Sequence, residues 1–327
     1  MAELRYNPLL DDWTMVAASR DKRPDMPKDY CPFCAGSGKV PDDYTVHLYA
    51  NDFPILSTNP PEPDDVGSEL YQVKPSYGIC DVVLYSPKHN AKLWELPQNH
   101  IEELVELWKS RFQELEKDEN IQYIFPFENR GAEVGVTMPH PHGQIYSYSQ
   151  MPLRMRVELE NEKKYFDKTG KNLFEQMVAD EIKYKDRVLM ENSSFIAFIP
   201  FFSEYPYGAY IVAKENIVSL EEFSKKHISD LASMLKALIG GFDTMFERDF
   251  PYMMGMYNRP LNKAEDKNIS DYFRYHIKFF PPLRGANSIK YNASSETGAW
   301  AAGNPRRVEE CAVELRNAIE RFTNGKQ

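Results

Sequence analysis

Internal repetition constrains this fold more than any other feature of the sequence. The stretch DVVLYSPKHNAKLWELPQNHIEELVELW (81–108) is echoed 127 residues further on by AYIVAKENIVSLEEFSKKHISDLASML (209–235). Aligned without gaps, Leu93 falls on Leu220, Leu96 on Phe223, His100 on His227, Leu104 on Leu231 and Trp108 on Leu235. Each copy reads as a short apolar strand, a loop and a helix. In the first copy the apolar positions 101, 104, 105, 108, 112 and 115 follow helical spacing, and Asn99 with Glu102 three residues on forms a capping-box pattern that predicts the helix start. ENRG (128–131) returns as YNRP (257–260), and HPHGQIY (140–146) as HIKFFPP (276–282). Matches in the same order predict a duplicated α+β unit. The first domain is expected over 1–155 and a degenerate second over 156–327, with the boundary in the charged stretch near 152–186. A last helix is predicted after Gly303, with Asn304 as cap, Pro305 first in the helix and a stripe of Val308, Ala312, Leu315, Ile319 and Phe322. That stripe reads as core packing rather than a partner site.

Two cores need apolar residues, and 327 residues at 42% hydrophobic supply them. The net charge of −10 argues against nonspecific binding to nucleic acid or anionic membranes, which calls for a basic surface. An acidic protein acting on a phosphate must concentrate its cations locally. No stretch approaches the roughly 20 apolar residues of a membrane span, and MAELRYNPLLDDW at the amino terminus lacks a signal-peptide core. Four cysteines are too few for a secreted disulfide framework, so a reducing, cytoplasmic location is expected.

The chemistry concentrates in Pro139-His140-Pro141-His142-Gly143-Gln144-Ile145. In extended backbone His140, His142 and Gln144 project to one side. The two prolines and the glycine place the segment at a strand edge or end. A polar surface strand is the bland alternative. Upstream, Cys31-x2-Cys34 has a common zinc spacing; C-x-x-C is also a redox motif, but that reading expects a strand before it and a helix after. Here DMPKDY precedes and Ala-Gly-Ser-Gly follows, a knuckle-like turn. His89 and His140 are the best candidates for two further ligands, and a Cys2His2 set without bound water is structural. Zinc on His140 would fix the backbone that presents His142. A neutral imidazole at His142 can attack phosphorus and split one hard displacement into two. Gln144 can donate to phosphate oxygens but cannot protonate a leaving group, which points to a transferase rather than a hydrolase.

The stretch FENRGAEVGVTMPHPHGQIYS (127–147) closely resembles the active-site signature of galactose-1-phosphate uridylyltransferases, members of the histidine-triad superfamily. The resemblance continues through SRDKRP (19–24), CPFCAG (31–36), YANDFP (49–54), SPKH (86–89), ENSSFIAFIPFF (191–202), FPYMMGMYNRP (250–260) and HIKFFPPLR (276–284). It implies an α+β fold of duplicated histidine-triad-like units, each an antiparallel sheet with packed helices. It also implies a ping-pong reaction that carries UMP from UDP-glucose to a hexose 1-phosphate, galactose 1-phosphate, through uridylyl-His142. Gln144 would hold the phosphoryl oxygens, and Cys31, Cys34, His89 and His140 match the family's zinc ligands. Asn51 and Asp52 match uridine and ribose contacts, while Asn129 and the Gly135-Val136-Thr137 turn match positions near the phosphates. Arg20 and Arg23 match basic residues that reach the diphosphate from the neighbouring subunit of a homodimer. Lys290, Tyr291 and Glu296 match a segment that reaches the hexose across that interface, with Ser295 in place of an aromatic.

Some members carry a second metal on one carboxylate and three histidines. Glu158 and His276 match two of these positions, but Tyr257 and Lys278 stand at the other two. Lys278 brings its own positive charge, so no second metal is expected. Two other readings stand beside the uridylyltransferase: an adenylyl-transferring, ADP-glucose phosphorylase-like enzyme, and a zinc-stabilised nucleotide-binding module without turnover.

Overall fold

The computed structural model describes residues 2–17 and 30–325. The first half supplies strands β1 (Ala2–Asn7), β2 (Asp12–Ala17), β3 (His47–Ala50), β4 (Val73–Pro75) and β5 (Gly78–Leu84), helix α1 (Gln98–Leu115), then β6 (Tyr123–Arg130) and β7 (His142–Tyr148). Helices α2 (Leu153–Thr169) and α3 (Leu173–Tyr184) come next. The second half gives β8 (Val188–Glu191), β9 (Phe195–Phe198), β10 (Tyr210–Ala213), α4 (Lys225–Phe246), β11 (Tyr252–Tyr257), the single turn α5 (Ile269–Tyr272) and β12 (His276–Phe280). The hairpin β13 (Leu283–Gly285) and β14 (Ser288–Ile289), then α6 (Ser294–Ala299) and α7 (Val308–Asn324), complete the chain.

Nine strands form one antiparallel sheet in the order β3-β5-β7-β6-β11-β12-β10-β9-β8. The duplication is written in that order. From the β3 edge inward runs β3-β5-β7-β6, and from the other side β9-β10-β12-β11 repeats it, with β8 added outside. The two units share one sheet because β6 pairs with β11, Tyr252 opposite Arg130 and Gly255 opposite Phe127. Such pairing satisfies backbone groups that two separate sheets would leave at open edges.

Alternation along the strands sends Val83, Ile145, Ile211, Ile277 and Phe279 to one face, where α1 and α4 bury them in a single core. From α1 come Ile101, Leu104, Val105, Trp108 and Phe112, and from α4 Leu231, Leu235, Leu238, Ile239 and Phe242, all essentially inaccessible. Each such side chain contributes about 1.5–3 kcal/mol of transfer free energy. Helix α7 backs onto α4 through the predicted stripe: Val308, Ala312, Leu315 and Ile319 are buried. The approach needs small residues, since a Cβ at Gly240 would stand 2.2 Å from Phe322 and one at Gly241 2.4 Å from Ile319.

Two local expectations change, both helix starts. Helix α1 starts at Gln98 rather than after Asn99: Pro97 is the cap, and its carbonyl accepts from His100 and Ile101 at 3.1 and 3.2 Å. Helix α7 starts at Val308, because Asn304 spends its carboxamide on a turn to Arg306 N and on Ser203 O. The charged stretch 152–186 holds α2 and α3, with Met155, Leu159 and Phe174 among the residues facing the sheet's second side. Among the described residues no helix is long and apolar enough to cross a membrane.

Candidate metal centre and nucleophile site

The sheet face away from α1 is covered in the first half by the segment after residue 30, through Phe33, Val40, Val82 and Leu84. This packing brings Cys31 and Cys34 over the loop after β5 and the approach to β7. The ligand atoms of Cys31, Cys34, His89 and His140 all lie within 4.8 Å of one another. Cys31 Sγ is 3.6 Å and Cys34 Sγ 3.8 Å from His140 Nδ1, and Cys34 Sγ is 3.4 Å from His89 Nδ1. A tetrahedron with metal–sulfur bonds of about 2.3 Å and metal–nitrogen bonds of about 2.0 Å has sulfur–nitrogen edges of about 3.5 Å. The four residues therefore fit a tetrahedral N/S-bound metal.

Secondary contacts orient the ligands. His140 Nε2 donates to Ser86 O at 2.8 Å, so the tautomer keeping that bond turns the Nδ1 lone pair to the sulfurs. Tyr44 donates to the same carbonyl at 3.0 Å. Burial lowers the His140 pKa to about 4, which keeps the ring neutral. Burial and the neighbouring Cys31 push the Cys34 thiol up to about 11. A cation is what would hold both sulfurs as thiolates at neutral pH.

His142 opens β7, one residue past Pro141, and its backbone pairs with Leu84 of β5. The prediction of a strand end holds, but β7 lies between β5 and β6 rather than at an edge. The His142 ring donates through Nδ1 to His140 O at 2.7 Å. The tautomer with that bond carries its lone pair on Nε2. One residue thus presents a metal-directed side chain and orients the next imidazole by its carbonyl. Gln144 follows on the same face by strand alternation.

A cavity of roughly 410 Å³ opens beside His142, with Asn129, Arg130, Val136 and His140 in its wall. Gly135 caps its short turn in the left-handed region at φ 81°, and Thr137 next to Val136 is exposed. Arg130 makes a two-pronged bond to Asp243 of α4, at 2.8 and 2.7 Å, fastening the cavity wall to the other half. Tyr85, Glu128 and Tyr252 also line it. None of the three is among the residues expected from the sequence, although Glu128 adjoins Asn129 in the ENRG run. Tyr252 donates to Glu128 Oε1 at 2.9 Å and Tyr85 to Oε2 at 3.2 Å. Burial raises the Glu128 carboxyl to about 7 against the pull of these hydroxyls and Arg130.

The other predicted residues are placed as follows. Asn51 follows β3 and its side chain accepts from Phe53 N at 2.9 Å. Asp52 is bridged by Lys39 at 2.6 Å and Tyr49 at 2.7 Å; burial works against its charge, but these contacts hold its pKa below the ordinary value. Arg20 and Arg23 lie outside the described residues. Lys290, Tyr291 and Glu296 are not in the wall of the His142 cavity. Glu296 caps α6 through Ala293 N and, with Asn292 and Trp300, borders a separate hollow shared with Arg154, Glu158 and Glu204. Tyr291 is 74% exposed, so within one chain it touches little.

The second half repeats the geometry of His142 in different surroundings. His276 opens β12 and donates through Nδ1 to Arg274 O at 2.7 Å, the contact His142 makes with His140. The structure thus matches His276 to His142 and Lys278 to Gln144, rather than His276 to His140 as the sequence repeat predicts. His276 is stacked between Phe174, 4.1 Å away, and Tyr257, 4.7 Å away, and burial drives its pKa well down. Lys278 pairs with Glu158 under the rings of Tyr257 and Tyr210. Among the described residues, Cys31, Cys34, His89 and His140 are the one group of three or more metal-type ligands in reach of each other.

An antiparallel sheet of two like units, carrying an oriented histidine beside a Cys2His2 set, defines a class of fold that comparisons with known proteins place more narrowly. Residues 1–152 match the model of the galactose-1-phosphate uridyl transferase N-terminal domain, and residues 158–292 that of its C-terminal domain. A galactose-1-phosphate uridylyltransferase from Thermotoga maritima is 38% identical over 97% of this chain and 98% of its own length. A solved uridylyltransferase structure superposes with a TM-score of 0.89 at 28% identity, covering 98% of this chain and 99% of that one. An ADP-glucose phosphorylase from Arabidopsis thaliana, with bound ADP-glucose, gives 0.74 at 25% identity, covering 97% and 99%. The chain belongs to the galactose-1-phosphate uridyl transferase family.

Proposed function

We propose that this protein transfers UMP between UDP-glucose and a hexose 1-phosphate, galactose 1-phosphate, through a covalent intermediate on His142. The observation that carries the reading is the bond from His142 Nδ1 to His140 O, which aims one defined lone pair from the strand end. Nε2 of His142 attacks the α-phosphorus, the bond to glucose 1-phosphate breaks, and the uridylyl group stays on the ring. A phosphate oxygen of galactose 1-phosphate then attacks the same phosphorus, releasing UDP-galactose and the free imidazole. Gln144 donates to the phosphoryl oxygens in both halves and, being an amide, gives no proton to the sugar phosphate. Asn129 and the Gly135-Val136-Thr137 turn form the phosphate side of the pocket, while Asn51 and Asp52 contact uridine and ribose.

Zinc is the metal that suits two thiolates and two imidazoles. When bound to Cys31, Cys34, His89 and His140 it supplies structural rigidity to the backbone ahead of His142. Residues 1–155 carry this machinery, and 156–327 are its degenerate copy. Arg20, Arg23, Lys290, Tyr291 and Glu296 act across a homodimer interface, a reading supported by the last three lying outside the wall of the His142 cavity in one chain. The cytoplasm is the compartment that keeps the two site cysteines reduced.

Elemental analysis of the purified protein should return one zinc per chain. Two metals per chain would show that the Lys278–Glu158 pair does not take the place of a cation. A donor panel tests the substrate: UDP-[α-³²P]glucose should label the protein and ADP-[α-³²P]glucose should not. Label from the adenine donor alone would make this an adenylyltransferase, the reading suggested by the likeness to the ADP-glucose phosphorylase. Saturable UDP binding without label from either donor would make it a binding module.

A further inference from the structure

The cluster of Tyr85, Glu128 and Tyr252 has no part in the chemistry above, yet it stands against the nucleophile's own strand. Glu128 is 6% exposed, and Tyr85 and Tyr252 are essentially inaccessible. Three elements contribute: Tyr85 follows β5, Glu128 lies on β6, and Tyr252 begins β11 of the other half. Burying a carboxyl costs several kcal/mol unless it is well bonded, and apolar side chains would fill this space at lower cost. A costly polar cluster beside a reactive group is where function outweighs stability.

Tyr85 grips both neighbours of His142. Its backbone N donates to Pro141 O at 3.0 Å. Its hydroxyl lies so close to Gly143 that a Cβ there would stand 2.3 Å from the oxygen and 3.1 Å from the ring carbon bearing it. The hydroxyl's position is in turn held by Glu128 Oε2, and Glu128 by Tyr252 through Oε1. We propose that Glu128, clasped between the hydroxyls of Tyr85 and Tyr252, is a positioning residue for uridylyl transfer, acting through Tyr85 on Gly143 and so on the aim of His142. This rests on His142 being the nucleophile. Because Tyr252 belongs to β11, the second half contributes to the site by steadying the first half's strand. The effect proposed for the cluster is on approach geometry, where a misplacement of about 1 Å costs on the order of a hundredfold in rate.

Single-turnover formation of the uridylyl adduct from UDP-[α-³²P]glucose, together with the donor KM, tests the idea on the zinc-loaded protein. Tyr85→Phe removes one oxygen and keeps the ring, so it preserves the packing. It should slow adduct formation by about tenfold to a hundredfold while the KM for UDP-glucose stays within about threefold, as expected of a lost approach geometry rather than lost binding. Glu128→Leu should do the same, and the double variant should be no slower than the slower single, since both act through one hydroxyl. Adduct formation at the wild-type rate in Tyr85→Phe overturns the proposal even if Glu128→Leu does not fold, and so do effects that multiply in the double variant. A wild-type protein that never takes the label would instead remove the assignment of His142, a separate failure.

Discussion

His142→Ala is expected to lower uridylyl transfer by at least about 10⁴-fold, the scale on which enzymes lose rate when a covalent nucleophile is removed. In the proposed mechanism Gln144 and the phosphate-side groups still hold the donor, so UDP-glucose affinity should fall by no more than about tenfold. The fold should survive, because His142 is half-buried at the strand end and its Nδ1 bond is to a carbonyl only two residues away. Thermal melting should therefore place the variant within a few degrees of the parent. His142→Gly should recover part of the reaction when imidazole is supplied, because the ring's place is then open to a free base. Ordinary turnover in His142→Ala would end the covalent mechanism.

Cys31→Ser should act in the opposite sense, on stability first. Structural zinc in small domains binds with about 10–16 kcal/mol at neutral pH, and one lost thiolate removes a substantial part of it. Taking on the order of 4 kcal/mol, and a shift of roughly 2–4 °C per kcal/mol for larger domains, Tm falls by roughly 10 °C. Chelation of the parent should produce a similar drop. The pH dependence has a defined sign. His140 has its folded pKa lowered to about 4 by burial, beneath the ordinary 6.5. Its neutral form thus favours the fold fully above pH 6.5, and that contribution is lost as pH falls through the window down to 4. Both sulfurs must shed protons to bind metal, so zinc affinity weakens in the same direction. Melting curves with metal analysis from pH 8 to pH 4.5 check both effects. A Cys31→Ser protein that melts with the parent and keeps its zinc would show that this cysteine is no ligand.

Much of the site is legible because it is local. HPHGQ sets three polar side chains by alternation, and C-x-x-C sets two sulfurs by one turn, so neither depends on distant packing. The repeat is legible because two copies of the helix keep their apolar spacing. What escapes is non-local or carried by polar residues. Nothing in either half announces that β6 and β11 pair, since edge strands of like composition can pair or remain exposed. Helix α2 is hidden by its composition: Met155, Leu159 and Phe166 make a narrow apolar stripe among charges. The starts of α1 and α7 shift because Pro97 and Arg307 take the cap positions that Asn99 and Asn304 advertise. Nothing local marks Glu128 as buried; its burial comes from the neighbours that β6 has on both sides. The match of His276 with His142 emerges only from a hydrogen bond, because the loops before the two strands differ in length.

Intact-protein and peptide mass spectrometry after brief exposure to UDP-glucose alone looks for the covalent intermediate itself. A gain of one uridylyl group is expected, located on the peptide holding His142, discharged by galactose 1-phosphate and missing from His142→Ala. An enzyme that converts both substrates at full rate while its mass never changes, or that carries the group on another residue, would contradict the proposed mechanism.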